Sequence, residues 1–279
     1  MKTDKIWYVT GASKGLGLTL VKKLLATGYK VAATSRNSAT LSVAVGAENS
    51  ENFLPLEVDL INEMSVAESI KKTQEVFGKI DVIVNNAGYG IGGAIEELSQ
   101  EEIAEAFNIN VFGTINVIKY AMPYLRAQRS GYIINISSIA GFAPATGWSI
   151  YAAAKHAIIG LSESLADDVR SLGTKVTAIA PGAFRTQFLT KESLVFAKNA
   201  IDDYEDVHAS HDRFRNMNGT QLGDPEKAAQ VMIDLAESEN PPVRLYLGSD
   251  AYRRATAKMG TLSSMLEDWK ETSLSTDFN

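Results

Sequence analysis

Short apolar runs rich in β-branched residues alternate along this chain with longer stretches of helical period, and that alternation restricts the fold more than any other feature. The runs are "KIWYVT" (5–10), "KVAATS" (30–35), "NFLPLEV" (52–58), "IDVIVNN" (80–86), "GYIINISS" (131–138), "KVTAIA" (175–180) and "VRLYLG" (243–248). Helical patterns fall at 15–27, 63–77, 101–128, 149–171 and 225–237, with weaker ones inside 187–216 and 250–270. Strands that are apolar on both faces belong in a parallel sheet covered on both sides. Parallel neighbours need a crossover, and right-handed helical crossovers place helices on the two faces. The expectation is an α/β fold, a doubly wound parallel sheet of about seven strands. One domain spans 1–279, with its core at 5–248 and an extension at 249–279 that starts as a docked helix and ends frayed.

Composition narrows the function. With 279 residues, 45% of them hydrophobic, the chain can bury a substantial core. Net charge is -6 and the 27 basic residues are scattered, so no basic stripe offers itself to nucleic acid. Cysteine is absent, which excludes disulfides, thiolate metal sites and a thiol nucleophile. "MKTDK" leads straight into "IWYVT" without a signal peptide. No apolar run approaches the roughly 20 residues that span a bilayer. A cytoplasmic protein with neither membrane nor nucleic-acid partner is expected.

In open parallel sheets, ligands gather where the strands end at their carboxyl side. After the first strand comes "TGASKGLG", with Gly11, Gly15 and Gly17 opening a helix. Glycines let backbone approach a pyrophosphate, and a helix N-terminus presents free N–H groups to it. Ser13, Lys14 and Leu16 fill the rest of this loop. The second strand ends in "TSRN", without the acidic residue that would hydrogen-bond an adenine ribose. Arg36 and Lys14 stand there instead, and two cations without a carboxylate suit the 2′-phosphate of NADP(H).

"YAAAK" puts Tyr151 and Lys155 four residues apart, on one helix face. Alone, that spacing fits a lysine snorkelling past a tyrosine as well as a phenol made labile by an ammonium.

Taken together, "TGASKGLG", "VDL" (58–60), "NNAG" (85–88), "NIN" (108–110), "NISSIAG" (135–141), "YAAAK" and "PGAFRT" (181–186) resemble, in order and spacing, the short-chain dehydrogenase/reductase family across residues 5–248. The resemblance implies a Rossmann fold and a nicotinamide cofactor. It implies that Asp59 and Leu60 flank the adenine and that Asn86, Ala87 and Gly88 lie along the cofactor. Pro181, Gly182, Phe184 and Thr186 would hold the nicotinamide end. Asn110, Ser138, Tyr151 and Lys155 would form the catalytic group, and homodimers or homotetramers would form with the "YAAAK" helix in the interface.

The chemistry of carbonyl reduction calls for these residue types. A hydride goes to carbon and a proton to the developing alkoxide, and a phenol is a suitable acid for this. Its reference pKa of about 10 is high for the return step, and a neighbouring ammonium lowers it. A drop of about three units corresponds to roughly 4 kcal/mol. Ser138 would position the carbonyl oxygen. Asn110 would hold a water leading from Lys155 toward solvent.

The remaining candidates carry less. His156 follows Lys155 and reads as structural. His208, His211 and Asp212 have helix-face spacing but no further ligand, so a solvated surface is expected rather than a metal site. They lie in "NAIDDYEDVHASHDRFRN" (199–216), read as the exposed, mobile face of a substrate lid at about 187–222. Tyr89, Phe142, Trp148, Phe184, Phe188 and Phe196 fall near the pocket mouth, where about half should be core contacts; Ser138, Phe142, Trp148, Tyr151 and Phe188 are the expected substrate contacts. An apolar, aromatic pocket suits a bulky ketone, aldehyde or secondary alcohol. The reading is an NADP(H)-dependent carbonyl reductase. The alternatives are a 3-oxoacyl-thioester reductase and a non-catalytic NADPH-binding regulator.

Overall fold

The computed structural model describes residues 5–47 and 50–278. Its first half runs β1 (Ile6–Val9), α1 (Gly15–Ala26), β2 (Lys30–Ser35), α2 (Ser38–Val45), β3 (Phe53–Glu57), α3 (Glu63–Phe77), β4 (Val82–Asn85), β5 (Gly90–Gly92), α4 (Gln100–Phe107), α5 (Gly113–Gln128) and β6 (Gly131–Ile136). It continues through α6 (Ser149–Arg170), β7 (Thr174–Pro181), β8 (Leu194–Phe196), α7 (Glu205–Asn216), α8 (Pro225–Glu237), β9 (Arg244–Leu247), α9 (Ser249–Asp268) and α10 (Lys270–Leu274).

Seven strands form one parallel sheet in the order β3-β2-β1-β4-β6-β7-β9. Neighbouring side chains on a strand point to opposite faces. Trp7 and Val9 therefore join a cluster with Leu20, Leu24 and Met232, under α1 and α8. Tyr8 faces the other way, into Ile70, Ile83, Leu125 and Ile133, under α3, α5 and α6. Both faces are covered, as the doubly apolar strands require. The winding reverses between β1 and β4, which is where such a sheet opens a ligand crevice.

The structure departs from the sequence reading in four places. Helix α2 is extra; the Asn37 side chain accepts from Thr40 N–H at its start and Gly46 closes it in the left-handed region, with φ 73°. The single helix expected over 101–128 is two helices joined by a π-helical turn at Asn108–Phe112. β5 and β8, three residues each, form a small parallel pair above the sheet. After α9, which fills the helix expected inside 250–270, a further short helix over Lys270–Leu274 stands where fraying was expected.

Ile133 is fully buried at the centre of the sheet. Replacing it with Ala should lower unfolding free energy by about 2–5 kcal/mol, because the methylene groups leave a void the sheet cannot close. The midpoint of urea denaturation reads this directly.

Candidate active site

The carboxyl ends of the strands open onto a cleft of about 910 Å³. Its floor carries the glycine loop, with Gly11, Ser13, Lys14, Gly15 and Leu16 on the wall. Gly17 stands off the cleft, packed so tightly that a Cβ would come 2.4 Å from Asn86 Nδ2. Asn86 in turn donates from Nδ2 to the carbonyls of Thr10 and Gly11, at 2.9 and 3.0 Å, and so braces the loop. Arg36 lies on the rim, exposed, beside Thr34 and Ser35. Lys14 also faces the cleft and pairs at 3.5 Å with Glu192. Val58 and Leu60 line the cleft, but Asp59 does not; its Oδ1 accepts the Ile61 N–H and closes a turn. Ala87, Gly88, Pro181, Gly182, Phe184 and Thr186 complete the far wall.

Ser138, Tyr151 and Lys155 meet at the middle of the cleft. Ser138 follows β6, and its Oγ accepts the Ala140 N–H at 3.1 Å, which holds a tight turn. Tyr151 enters from the first turn of α6, 7% exposed, and lines the cleft with Ser138. Lys155 sits one turn on, with Nζ 5.9 Å from the Tyr151 ring centroid and donating to the Ile136 carbonyl at 3.1 Å. Asn110 is buried in the π-helical turn. Its Nδ2 donates to the Tyr89 and Ala106 carbonyls, and its Oδ1 accepts the Tyr89 N–H. The carboxamide thus pins the chain after β4, with both N–H groups spent there and the oxygen accepting one bond.

Burial decides the electrostatics. Desolvation pushes the Tyr151 phenol up to about 12, partly offset by the Ser138 side chain. Desolvation also lowers the Lys155 ammonium to about 8. Lys155 by itself therefore does not depress the tyrosine. Removing water disfavours phenolate and ammonium alike, and at this separation the cation does not reverse the penalty.

Trp148, Phe188 and Phe196 line the cleft with Tyr89. Phe142 does not. It packs at 5.3 Å against Tyr246 and under the Arg244 guanidinium at 5.1 Å, because β9 offers both and the cleft lies on the other side of its turn. The charge-rich stretch before Asn216 keeps its charged side chains, from Asp202 to Arg215, exposed as expected, but it also has an inward face. On α7, Val207, Ser210 and His211 are buried; His211 Nε2 bonds the Gly147 carbonyl at 3.0 Å and its ring packs on Trp148. His208 Nε2 lies 2.7 Å from Glu97. Burial would raise Glu97, but N–H donors from Ile201 and Ala94, with His208, hold it below the usual carboxylate range. No metal-binding group of three forms among the described residues. His156 is structural in position, its Nδ1 2.7 Å from the Gly141 carbonyl.

Three contacts escaped sequence reasoning. Gln187 Oε1 accepts the Gly15 N–H at 3.1 Å, so the segment after β7 reaches over the glycine loop. Asp250 Oδ2 accepts the Ala183 N–H at 2.8 Å, and Arg254 donates to the Ala143 carbonyl. The first two turns of α9 therefore tie the turn after Ser138 to the "PG" turn. Nothing in "GSDAYRRA" signals this, since both partners are remote in sequence.

The family model for short chain dehydrogenases matches residues 5–194, which is well over half the chain. The chain belongs to the short-chain dehydrogenase family. A relative from Botryotinia fuckeliana, oxidoreductase BOA17, is 35% identical over 271 residues, covering 97% of this chain and 98% of its own. A short-chain dehydrogenase from Streptomyces avermitilis superposes with a TM-score of 0.90 at 33% identity, covering 98% of this chain and all of that one. ElxO with NADP bound, 30% identical, has a TM-score of 0.71 and covers 87% of this chain and 96% of its own. A 3-ketoacyl-(acyl-carrier-protein) reductase from Brucella melitensis, complexed with NADH, shares the fold at 22% identity and a TM-score of 0.73, over 87% of this chain and 96% of its own. As a member of this family the chain is an oxidoreductase acting on CH–OH or C=O groups of small molecules. No helix among the described residues is long and apolar enough to cross a membrane.

Replacing Asp250 with Ala should strand the part-buried Ala183 N–H, at a local cost of about 1 kcal/mol. Hydrogen exchange should then speed up over 181–186 while the circular dichroism of the whole chain is unchanged.

Proposed function

We propose that this dehydrogenase uses NADP(H) to interconvert a bulky hydrophobic ketone or aldehyde with its alcohol, and that Tyr151 is the acid/base. The observation that carries the reading is the buried Ser138–Tyr151–Lys155 group at the centre of a cleft whose walls also hold the glycine loop. The cleft fits such a cofactor. Gly15, at φ +61°, has only Thr186 within 4 Å of where a Cβ would sit, so there is room beside the loop for a phosphate, which would take the Gly15 N–H over from Gln187. At Gly88 a Cβ would come 2.6 Å from Asn110 Oδ1 and 3.1 Å from Lys155 Nζ, so only glycine keeps that strip of wall clear. Arg36 on the rim supports a 2′-phosphate, and the absence of an acid at Thr34 or Ser35 agrees.

When bound, the nicotinamide supplies or accepts the hydride. Ser138 would donate to the substrate oxygen and hold it beside the phenol. Tyr151, kept protonated by burial, would give its proton to the alkoxide as it forms. Lys155 would then stabilise the phenolate and return the proton, a task suited to an ammonium lowered to about 8. Asn110 would act through the backbone it pins, by fixing the π-helical turn beside Lys155. Trp148, Tyr89, Ile91, Phe188, Phe196 and Phe214 make the substrate wall apolar and aromatic, which favours a hydrophobic carbonyl over a sugar.

Tyr151→Phe should abolish ketone-dependent NADPH oxidation at 340 nm while NADPH still binds; undiminished turnover would reject Tyr151 as the acid. In the wild-type chain the reduction rate should stay level below about pH 8 and fall as Lys155 loses its proton above it.

Arg36→Glu should weaken NADPH binding by one to two orders of magnitude and leave NADH within a few-fold, on the scale of one lost charge-assisted phosphate contact. Fluorescence titration with both nucleotides measures it, and equal losses would reject the 2′-phosphate assignment.

A further inference from the structure

The cleft wall near Ser138 carries a cation that the hydride and proton transfers leave unused. Arg254, in the second turn of α9, lines the cleft, while its neighbour Arg253 is exposed. One of its guanidinium nitrogens donates to the Ala143 carbonyl. An arginine has five N–H groups, and among the described residues Arg254 makes no other hydrogen bond and no ion pair. Burial disfavours its charged form, and Asp250 offsets that only in part. The Asp250 carboxylate is already engaged: it accepts the Ala183 N–H, and it packs where a Cβ on Gly182 would come 2.1 Å from its Oδ1. The other cations of the cleft have posts of their own. Lys14 pairs with Glu192, Lys155 bonds the Ile136 carbonyl, Arg36 stands on the rim after β2 and Lys198 is exposed between β8 and α7. Beyond Arg254 the helix lines no more of the cleft, and Met259, Leu262, Leu266 and Trp269 are exposed.

We propose that Arg254 receives a carboxylate of the substrate, so that the molecule reduced in this cleft is a hydrophobic carbonyl compound bearing an acid group. This rests on the hydride-transfer reading above and narrows its substrate class. The guanidinium fork matches the two oxygens of a carboxylate. A partly dehydrated cation with unused donors gains most when an anion arrives to pair with it. The spacing suits one molecule. Ser138 and Ala143 are joined by a tight turn, and at about 2 Å per residue such a turn anchors Arg254 within roughly 10 Å of Ser138. A ligand can therefore set its carbonyl on Ser138 and its acid on Arg254, with its apolar body against lining such as Ile139, Ala140 and Phe184.

Phosphates of the cofactor are the competing anions, and the topology sets them apart. The glycine loop and Arg36 follow β1 and β2, whereas α9 follows β9, the strand at the opposite edge of the sheet. A carboxylate also suits the place better than a phosphate dianion. Asp250 stands near Arg254, and a second negative charge on the ligand would meet its repulsion. Charge elsewhere in the cleft selects the same orientation. Where α4 lines it, an acid group would face Glu102 and Glu105 instead of a cation.

The test uses the full chain, NADPH and a series of aryl methyl ketones that carry a carboxylate on an arm of zero to four methylenes, each paired with its methyl ester. For at least one arm length the acid should show a KM about tenfold below that of its ester, with similar kcat. Arg254→Gln should raise the KM of that acid by about ten- to a hundredfold, the scale of one lost charge-assisted contact, and Arg254→Lys should recover part of the loss. Equal KM values for acid and ester in the wild type would overturn the proposal. So would equal losses on both in Arg254→Gln, which would leave Arg254 as a brace for the Ala143 turn, or weaker NADPH binding with the acid preference intact, which would assign it to the cofactor. If neither acid nor ester is reduced, the hydride-transfer reading fails by itself, and binding still decides this one. Quenching of tryptophan fluorescence, with Trp148 on the cleft wall, should then show the NADP-loaded chain binding the acid about tenfold more tightly than the ester; equal binding would reject the carboxylate contact.

Discussion

The close seating of α6 on the end of β6 is the contact on which the rest of the cleft depends. Ser137 Oγ donates to the Lys155 carbonyl at 2.7 Å, Lys155 Nζ reaches back to the Ile136 carbonyl, and Asn135 Nδ2 bonds Ser162 Oγ at 2.9 Å. Each bond crosses from the strand to the helix inside a region without water, where an unmade hydrogen bond costs most. Together they fix the height and rotation of the helix. Tyr151 is thereby carried to Ser138, two residues beyond the strand. The small side chains Ala152 and Ala154, both buried, are what let the helix come this near.

The electrostatic character of the site is a consequence of that seating. A phenol and an ammonium that would have ordinary affinities for protons on a surface helix are both dehydrated here, and their neutral forms gain. The aromatic wall deepens the effect: Phe188 lies 6.2 Å and Trp148 6.4 Å from the Tyr151 ring. Segments from far along the chain hold that wall. His211 on α7 anchors Gly147 and packs on Trp148, and Gln187 reaches the glycine loop. The aromatic wall and the glycine-loop end of the cleft are therefore mechanically joined through the stretch between β7 and α8.

At the opposite wall, the carboxyl-terminal helix plays the corresponding part. It clamps two turns with Asp250 and Arg254 and then carries an apolar stripe away from the subunit.

Much of this was legible in the sequence. Doubly apolar runs such as "VIVN" and "YIINI" announced buried parallel strands, and the helical spacing of Tyr151 and Lys155 put them on one face. Other parts were illegible for physical reasons. Helix α2 has no apolar period to betray it, only Asn37 and Gly46 at its ends. β5 and β8 are shorter than any repeat, and nothing in "FNINVF" marks the extra residue of a π-helical turn. Phe142 looked like a pocket aromatic until Arg244 and Tyr246, about a hundred residues on, claimed it. By itself the sequence determined the layered α/β sheet, the glycine loop and which polar side chains share a helix face, because strand and helix periodicities and local turn chemistry are written in neighbouring residues. Only the tertiary structure decided the direction in which Tyr151 and Lys155 shift, the partners of Asn110 and Asp250, and the outward stripe of α9, because burial is set by residues the chain brings together from afar.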